Sequence, residues 1–201
     1  MSQAILVVIV CAVGTGGGVR ADEAEEKAVE GITKLGGRVI RDKKANGRPV
    51  VGLDLKYTQV PDSKLQALAG LKRVRSLDLS STQATDSGLK LLVVLKQLQA
   101  LYLTDTSVTG TGLQVLAGLK HFRTLDLRGT ELTDAGLKGL AGLKHLQKLN
   151  LNSTELTDPG LTALAGLQEL GTLDLGSTLV TGVGLKALAR LQQLRTLSIA
   201  A

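Results

Sequence analysis

Apolar residues keep one rhythm through most of this chain. Leu53, Leu77, Leu101, Leu125, Leu149, Leu173 and Leu197 stand 24 residues apart. A second apolar residue follows two positions later, from Leu55 and Leu79 through to Ile199. A third precedes the later copies by three positions: Val74, Leu98, Phe122, Leu146, Leu170 and Leu194. The L-x-L pair predicts a strand with its leucines inward and the residue between them outward. Val60, Ala84, Val108, Leu132, Leu156 and Val180 return the chain to the core. Leu89, Leu92 and Leu95, with their equivalents, then give one buried helical face.

The polar positions repeat with the same period. Thr58, Thr82, Thr106, Thr130, Thr154 and Thr178 fall where the chain leaves the strand. Their hydroxyls are expected to bond backbone groups of a neighbouring turn. Thr85, Thr109, Thr133, Thr157 and Thr181 fit helix N-caps. Asp86, Asp134 and Asp158 follow in the first turn, where the helix dipole favours an acid. Gly88, Gly112, Gly136, Gly160 and Gly184 lie inside the helix. Glycine there costs about 1 kcal/mol against alanine, so its regular use predicts close contact between stacked helices. Each unit reads as strand, turn, helix and return. Residues 53–201 are therefore predicted to form an α/β solenoid: a right-handed coil of 24-residue repeats, with seven repeat strands in a parallel concave sheet and helices on the convex side.

What precedes the repeats follows other rules. Asp22 to Leu35 has apolar residues at helical spacing and acids in the first turn, and Gly36-Gly37 ends it. Arg38–Arg41 and Pro49–Leu55 then read as a hairpin around Asn46-Gly47. Helix plus hairpin, residues 22–52, is the expected N-terminal cap, since a first repeat left bare would open its core to water. Ala4 to Val13 is an apolar run too short to span a bilayer, followed by GTGGG and by Val19-Arg20-Ala21. Residues 1–21 thus resemble a signal peptide cut before Asp22, although no Lys or Arg precedes the run. Export to the periplasm, envelope or medium is the expectation, without stable membrane insertion after cleavage; a cytoplasmic location is the alternative. Cys11 lies in that segment, so the mature chain would form neither a disulfide nor a thiolate metal site. The sequence ends just after the last strand with no cap signature. An open edge there is expected to allow self-association, or else marks a truncated product.

The pattern L-x-x-L-x-L-x-x-T-x-L resembles the leucine-rich repeat signature. The T-D-x-G-L-x-x-L-A-G-L-K core is similar to the cysteine-containing, ribonuclease-inhibitor-like class, with threonine in place of cysteine. The lead-in GGRV…GRPVVGLDL resembles the start of leucine-rich repeat proteins from planctomycete-type bacteria. The resemblance implies a non-catalytic scaffold that binds a protein partner. The same repeat type also resembles substrate receptors of ubiquitin ligases, which implies an intracellular adaptor as the alternative.

Composition narrows the chemistry. Apolar residues make up 43% of the chain but aromatics only 1%, and the net charge is +6. The outward strand row reads Asp54, Asp78, Tyr102, Asp126, Asn150, Asp174 and Ser198, and beside it lie Arg128 and Asn152. Tyr57, Asp78, Tyr102, Asp126, Arg128, Asn150, Asn152 and Asp174 are the candidate partner-binding set, with Tyr57, Tyr102 and Arg128 as anchors. Asp78, Asp126 and Asp174 would stand roughly 10 Å apart, near the spacing of an inverting glycosidase pair. No aromatic sugar platform accompanies them, and no catalytic residue or cofactor is assigned. His121 and His145 are one repeat apart but lack a third ligand, so no metal is expected. Lys72, Lys96, Lys120 and Lys144 form a column extended by Arg73. It would suit phosphate, acidic polysaccharide or an anionic protein. Nucleic acid is not expected, because stacking rings are missing.

Overall fold

The computed structural model describes residues 23–199; the expected signal peptide lies outside them. Helix α1 spans Glu23–Lys34 and buries Ala28 and Ile32. Eight strands follow in chain order: β1 (Arg38–Arg41), β2 (Val50–Asp54), β3 (Ser76–Asp78), β4 (Ala100–Tyr102), β5 (Thr124–Asp126), β6 (Lys148–Asn150), β7 (Thr172–Asp174) and β8 (Thr196–Ser198). They form one sheet in that order. β1 pairs with β2 antiparallel, and every later pair is parallel at a 24-residue offset. The second strand of the hairpin is thus also the first strand of the repeat ladder. Glu25, although buried, is satisfied there: it accepts from Arg41 Nη1 at 3.2 Å and from Val50 N at 3.1 Å.

The leucines of successive units meet in one continuous core, except at the last strand, where Leu197 and Ile199 are exposed. Leu77, Leu101, Leu149 and Leu173 are almost wholly buried, as are Leu92, Leu116, Leu140 and Leu164 from the convex side. Core residues are small and aliphatic, so the layers stack without large rings. Phe122, the sole ring in this core, occupies a leucine position and is 2% exposed.

Convex segments are tighter than the α-helices the spacing predicts. Only Asp86–Leu89 and Asp134–Leu137 are α-helical, each four residues long. The remainder is 3-10 helix, as in Asp62–Gly70 and Gly184–Arg190. A 24-residue coil leaves few residues between returning strands, and a 3-10 turn covers more length per residue than an α-turn. Short turns leave more orphan backbone groups, which explains the polar residues that surround them.

Candidate binding face

Strand register sets the concave row. Asp54, Asp78, Tyr102, Asp126, Asn150, Asp174 and Ser198 are direct partners on successive strands. Asp78, Tyr102, Asp126, Asn150 and Asp174 are all half-buried. Arg128 is exposed and Asn152 half-buried on the next row. Tyr57 is 75% exposed but lies past the strand end, beside the row rather than on it.

Four of the predicted contact residues also hold the backbone. One oxygen of Asp78 accepts from Ser80 N at 2.9 Å, and Asp126 accepts from Arg128 N at 3.0 Å. Asn150 does the same for Asn152 N at 3.0 Å, and Asp174 for Gly176 N at 2.9 Å. Each closes an Asx turn that carries the chain off its strand. At mid-face, Asp126 also receives Thr104 Oγ1 and Asn150 Nδ2, both at 3.3 Å. Asp54 is ion-paired with Arg38 of β1. Tyr57, Tyr102, Arg128 and Asn152 are the candidates whose side chains close no such turn.

The turns that follow use a left-handed residue once per repeat. Tyr57, Ser81, Asp105, Gly129, Ser153 and Ser177 have φ between 52° and 64°. This geometry aims each N–H of Tyr57, Ser81, Asp105, Gly129 and Ser153 at a carbonyl of the next repeat, as from Ser81 N to Thr104 O at 2.7 Å. A tyrosine in this region is strained, because its Cβ crowds the backbone. The threonine one position on does not reach a neighbouring turn, contrary to expectation. Its hydroxyl donates to the carbonyl three residues earlier in its own repeat, as from Thr106 to Leu103 at 2.7 Å and Thr130 to Leu127 at 2.7 Å.

Between repeats runs a second polar ladder, which the sequence reading missed. Asp62, Asp86, Asp134 and Asp158 each accept from the backbone N–H and hydroxyl of the next repeat's threonine: Thr85, Thr109, Thr157 and Thr181. Asp86 takes two further backbone donors, Gly110 N at 3.1 Å and Gly112 N at 2.7 Å. Partial burial alone would raise its pKa, but the bonds from Gly112, Thr109 and Gly110 outweigh it and hold the carboxyl below its usual value. Asp158 is likewise lowered, chiefly by the Thr181 hydroxyl and N–H. The helical glycines make room for these carboxylates. A Cβ on Gly88, Gly160 or Gly184 would lie 2.2 to 2.4 Å from the Oδ1 of Asp62, Asp134 or Asp158. These four threonines accordingly serve the ladder; Thr85 also caps its own turn, accepting from Ser87 N, and Thr133, outside the ladder, caps its own, accepting from Gly136 N.

At one joint the ladder stops. Gly110, with φ 104°, stands at the position held by Asp62, Asp86, Asp134 and Asp158 in four other repeats. Its backbone packs against Gly136, where a Cβ on either residue would clash.

The two histidines do not converge on a metal site. His145 Nδ1 lies 2.7 Å from Glu169 Oε1, which lowers the Glu169 pKa. Among the described residues no group of three His, Cys, Asp or Glu is placed to hold a metal. No helix among them is long and apolar enough to cross a membrane.

The family model described as leucine rich repeat matches residues 96–156. No curated protein sequence matches the chain. Among solved structures, internalin C2 of Listeria monocytogenes is similar at 22% identity and TM-score 0.54, covering 89% of this chain and 93% of that one. Internalin F of the same organism is similar at 22% identity and TM-score 0.53, covering 75% of this chain and 48% of its own. The PEPR1-AtPEP1 structure is similar at 20% identity and TM-score 0.57, covering 80% of this chain and 22% of that chain. The chain therefore spans about half of internalin F and about a fifth of PEPR1. The 24-residue register, the match over residues 96–156 and these shared folds together show that the chain has the leucine-rich repeat fold.

Proposed function

We propose that the chain is a non-catalytic scaffold that takes a protein partner on its concave face. One observation supports this above the others: Asp78, Tyr102, Asp126, Asn150 and Asp174 lie in register on five neighbouring strands, polar and half exposed. A row of this kind gives a partner directional contacts along a rigid sheet. Its centre holds Tyr102 with Arg128 nearby, the residue types that dominate protein interfaces. Three carboxylates along the row favour a partner with basic or amide side chains.

The Asx turns decide how to test it. Replacing Asp78, Asp126 or Asp174 would disturb the turn as well as the surface, whereas Tyr102→Ala with Arg128→Ala removes two of the three anchors and leaves the Asx turns intact. Capture of partners by the purified chain is compared with capture by that double variant, using quantitative mass spectrometry. Loss of the same captured protein from the variant supports the concave face; equal capture overturns it. Export is part of the same proposal. A mature N-terminus at Asp22 in the native host supports it, and an intact Met1 favours the intracellular adaptor.

A further inference from the structure

The two long edges of the solenoid carry opposite charge. On one edge the chain returns from the convex side to each strand, through residues 72–76, 96–100, 120–124, 144–148, 168–172 and 192–196. These six segments hold nine Lys and Arg against one acid, Glu169, which is tied to His145. On the other edge, residues 56–62 and their five equivalents hold two cations against seven acids. Four of those acids form the ladder between repeats, so their placement is structural.

The basic edge is also rigid. Gln99 N donates to Arg75 O at 2.8 Å, Arg123 N to Gln99 O at 2.8 Å, and Gln147 N to Arg123 O at 2.8 Å. This chain of bonds fixes the column at about one strand spacing per repeat, ~4.8 Å. Arg123 is held further, donating to the carbonyls of Lys120 at 3.0 Å and Phe122 at 2.9 Å. Two concavities open along the edge. One, of about 380 Å³, is lined by Lys72, Arg73, Arg75 and Gln97. The other, of about 200 Å³, includes Lys120, Lys144 and His145 over buried Leu119 and Phe122.

We propose that this edge binds a linear polysaccharide bearing carboxylate or sulfate groups, laid across the repeats from Arg73 to Lys144. A regular cation column suits a polymer with evenly spaced negative charge. Gln97, Gln99, Gln147 and Thr124 lie among the cations and supply partners for sugar hydroxyls, which an acidic peptide lacks. Nucleic acid is disfavoured because the edge offers its bases only the small imidazoles of His121 and His145: Phe122 is 2% exposed. This surface is separate from the concave row, so either proposal can fail alone.

The test is fluorescence anisotropy of the full chain with labelled heparin and polygalacturonate oligosaccharides, at about 50 and 150 mM salt. The edge variant is Arg73→Ala/Lys120→Ala/Lys144→Ala. The control is Lys90→Ala/Lys138→Ala/Lys186→Ala, which removes equal charge from the convex side. Circular dichroism confirms that both variants fold. Binding to either glycan should weaken at least about tenfold in the edge variant and little in the control. Each lost ion contact should lower the salt slope by somewhat under one, about two for the three together. Undetectable binding to both glycans, or equal weakening by both variants, overturns the proposal. So does tighter binding of length-matched polyglutamate or single-stranded DNA. A preference between heparin and polygalacturonate identifies the acid group.

Discussion

Asp86→Ala removes the richest joint of the ladder between repeats. Asp86 accepts four hydrogen bonds: from Thr109 N, Thr109 Oγ1, Gly110 N and Gly112 N, at 2.7 to 3.1 Å. Hydrogen bonds to a charged group contribute about 1.5–3 kcal/mol each when isolated. These four share one half-buried carboxylate, so they neither add fully nor escape screening. A loss of about 2–4 kcal/mol is the reasonable sum, with water recovering part of each donor. For a chain this size that is a fall in Tm of about 4–16 °C. The pH dependence follows from the lowered pKa of Asp86. A depressed carboxylate stabilises fully above its unfolded value, about 3.9, and loses that effect as pH falls through the folded value. Thermal melts of wild type and Asp86→Ala should therefore differ at pH 7 and converge as pH falls below the unfolded value and through the lowered folded one. Hydrogen exchange should show protection lost at the Thr109, Gly110 and Gly112 amides, with distant repeats unchanged. A Tm change under about 1 °C at pH 7 would refute the reasoning, and so would a difference that persists undiminished in acid.

Other substitutions check separate parts of the account. Gly136→Ala would put a Cβ 1.9 Å from the Thr109 carbonyl oxygen and should destabilise by at least about 1–3 kcal/mol in urea titration. Gly118→Ala meets nothing within 4 Å and should stabilise by about 0.4–1 kcal/mol, so the two glycines should move in opposite directions. Tyr57→Asn relieves a non-glycine φ of 60° and should raise the urea midpoint, by up to about 1 kcal/mol of stability. If Tyr57 also anchors a partner, that stabler variant should capture less of it.

The fold was legible because its determinants recur at fixed spacing. Leu77, Leu101 and Leu125 announce the register, and the glycine column through Gly88 and Gly136 announces close packing. The aspartates were read for the wrong neighbour. Asp86 lies in the first turn of its own helix, where its charge already has a local explanation. Its bonds go to Thr109, 23 residues ahead, and nothing within one repeat points there. The Thr106 hydroxyl posed the reverse problem: its bond is local, to Leu103, whereas a regular column suggested contact between repeats. For the candidate face, the row of outward residues followed from strand alternation. That Asp78 and Asp174 also close turns did not, because an Asx turn depends on where the strand stops. Nor did the sequence show Tyr57 in a left-handed turn, since its side chain gives no sign of that φ.

The gap in the ladder at Gly110 gives the array an uneven response to acid. Protonating Asp86 and Asp158 weakens the joints they close, one on each side of the molecule's middle. The joint between Gly110 and Gly136 is closed by backbone contact and holds no carboxylate to neutralise. Acid should thus loosen the flanks while the central pair of repeats stays clasped. Such a chain would not melt as one body at low pH; it would shed its ends around a core that does not sense the proton.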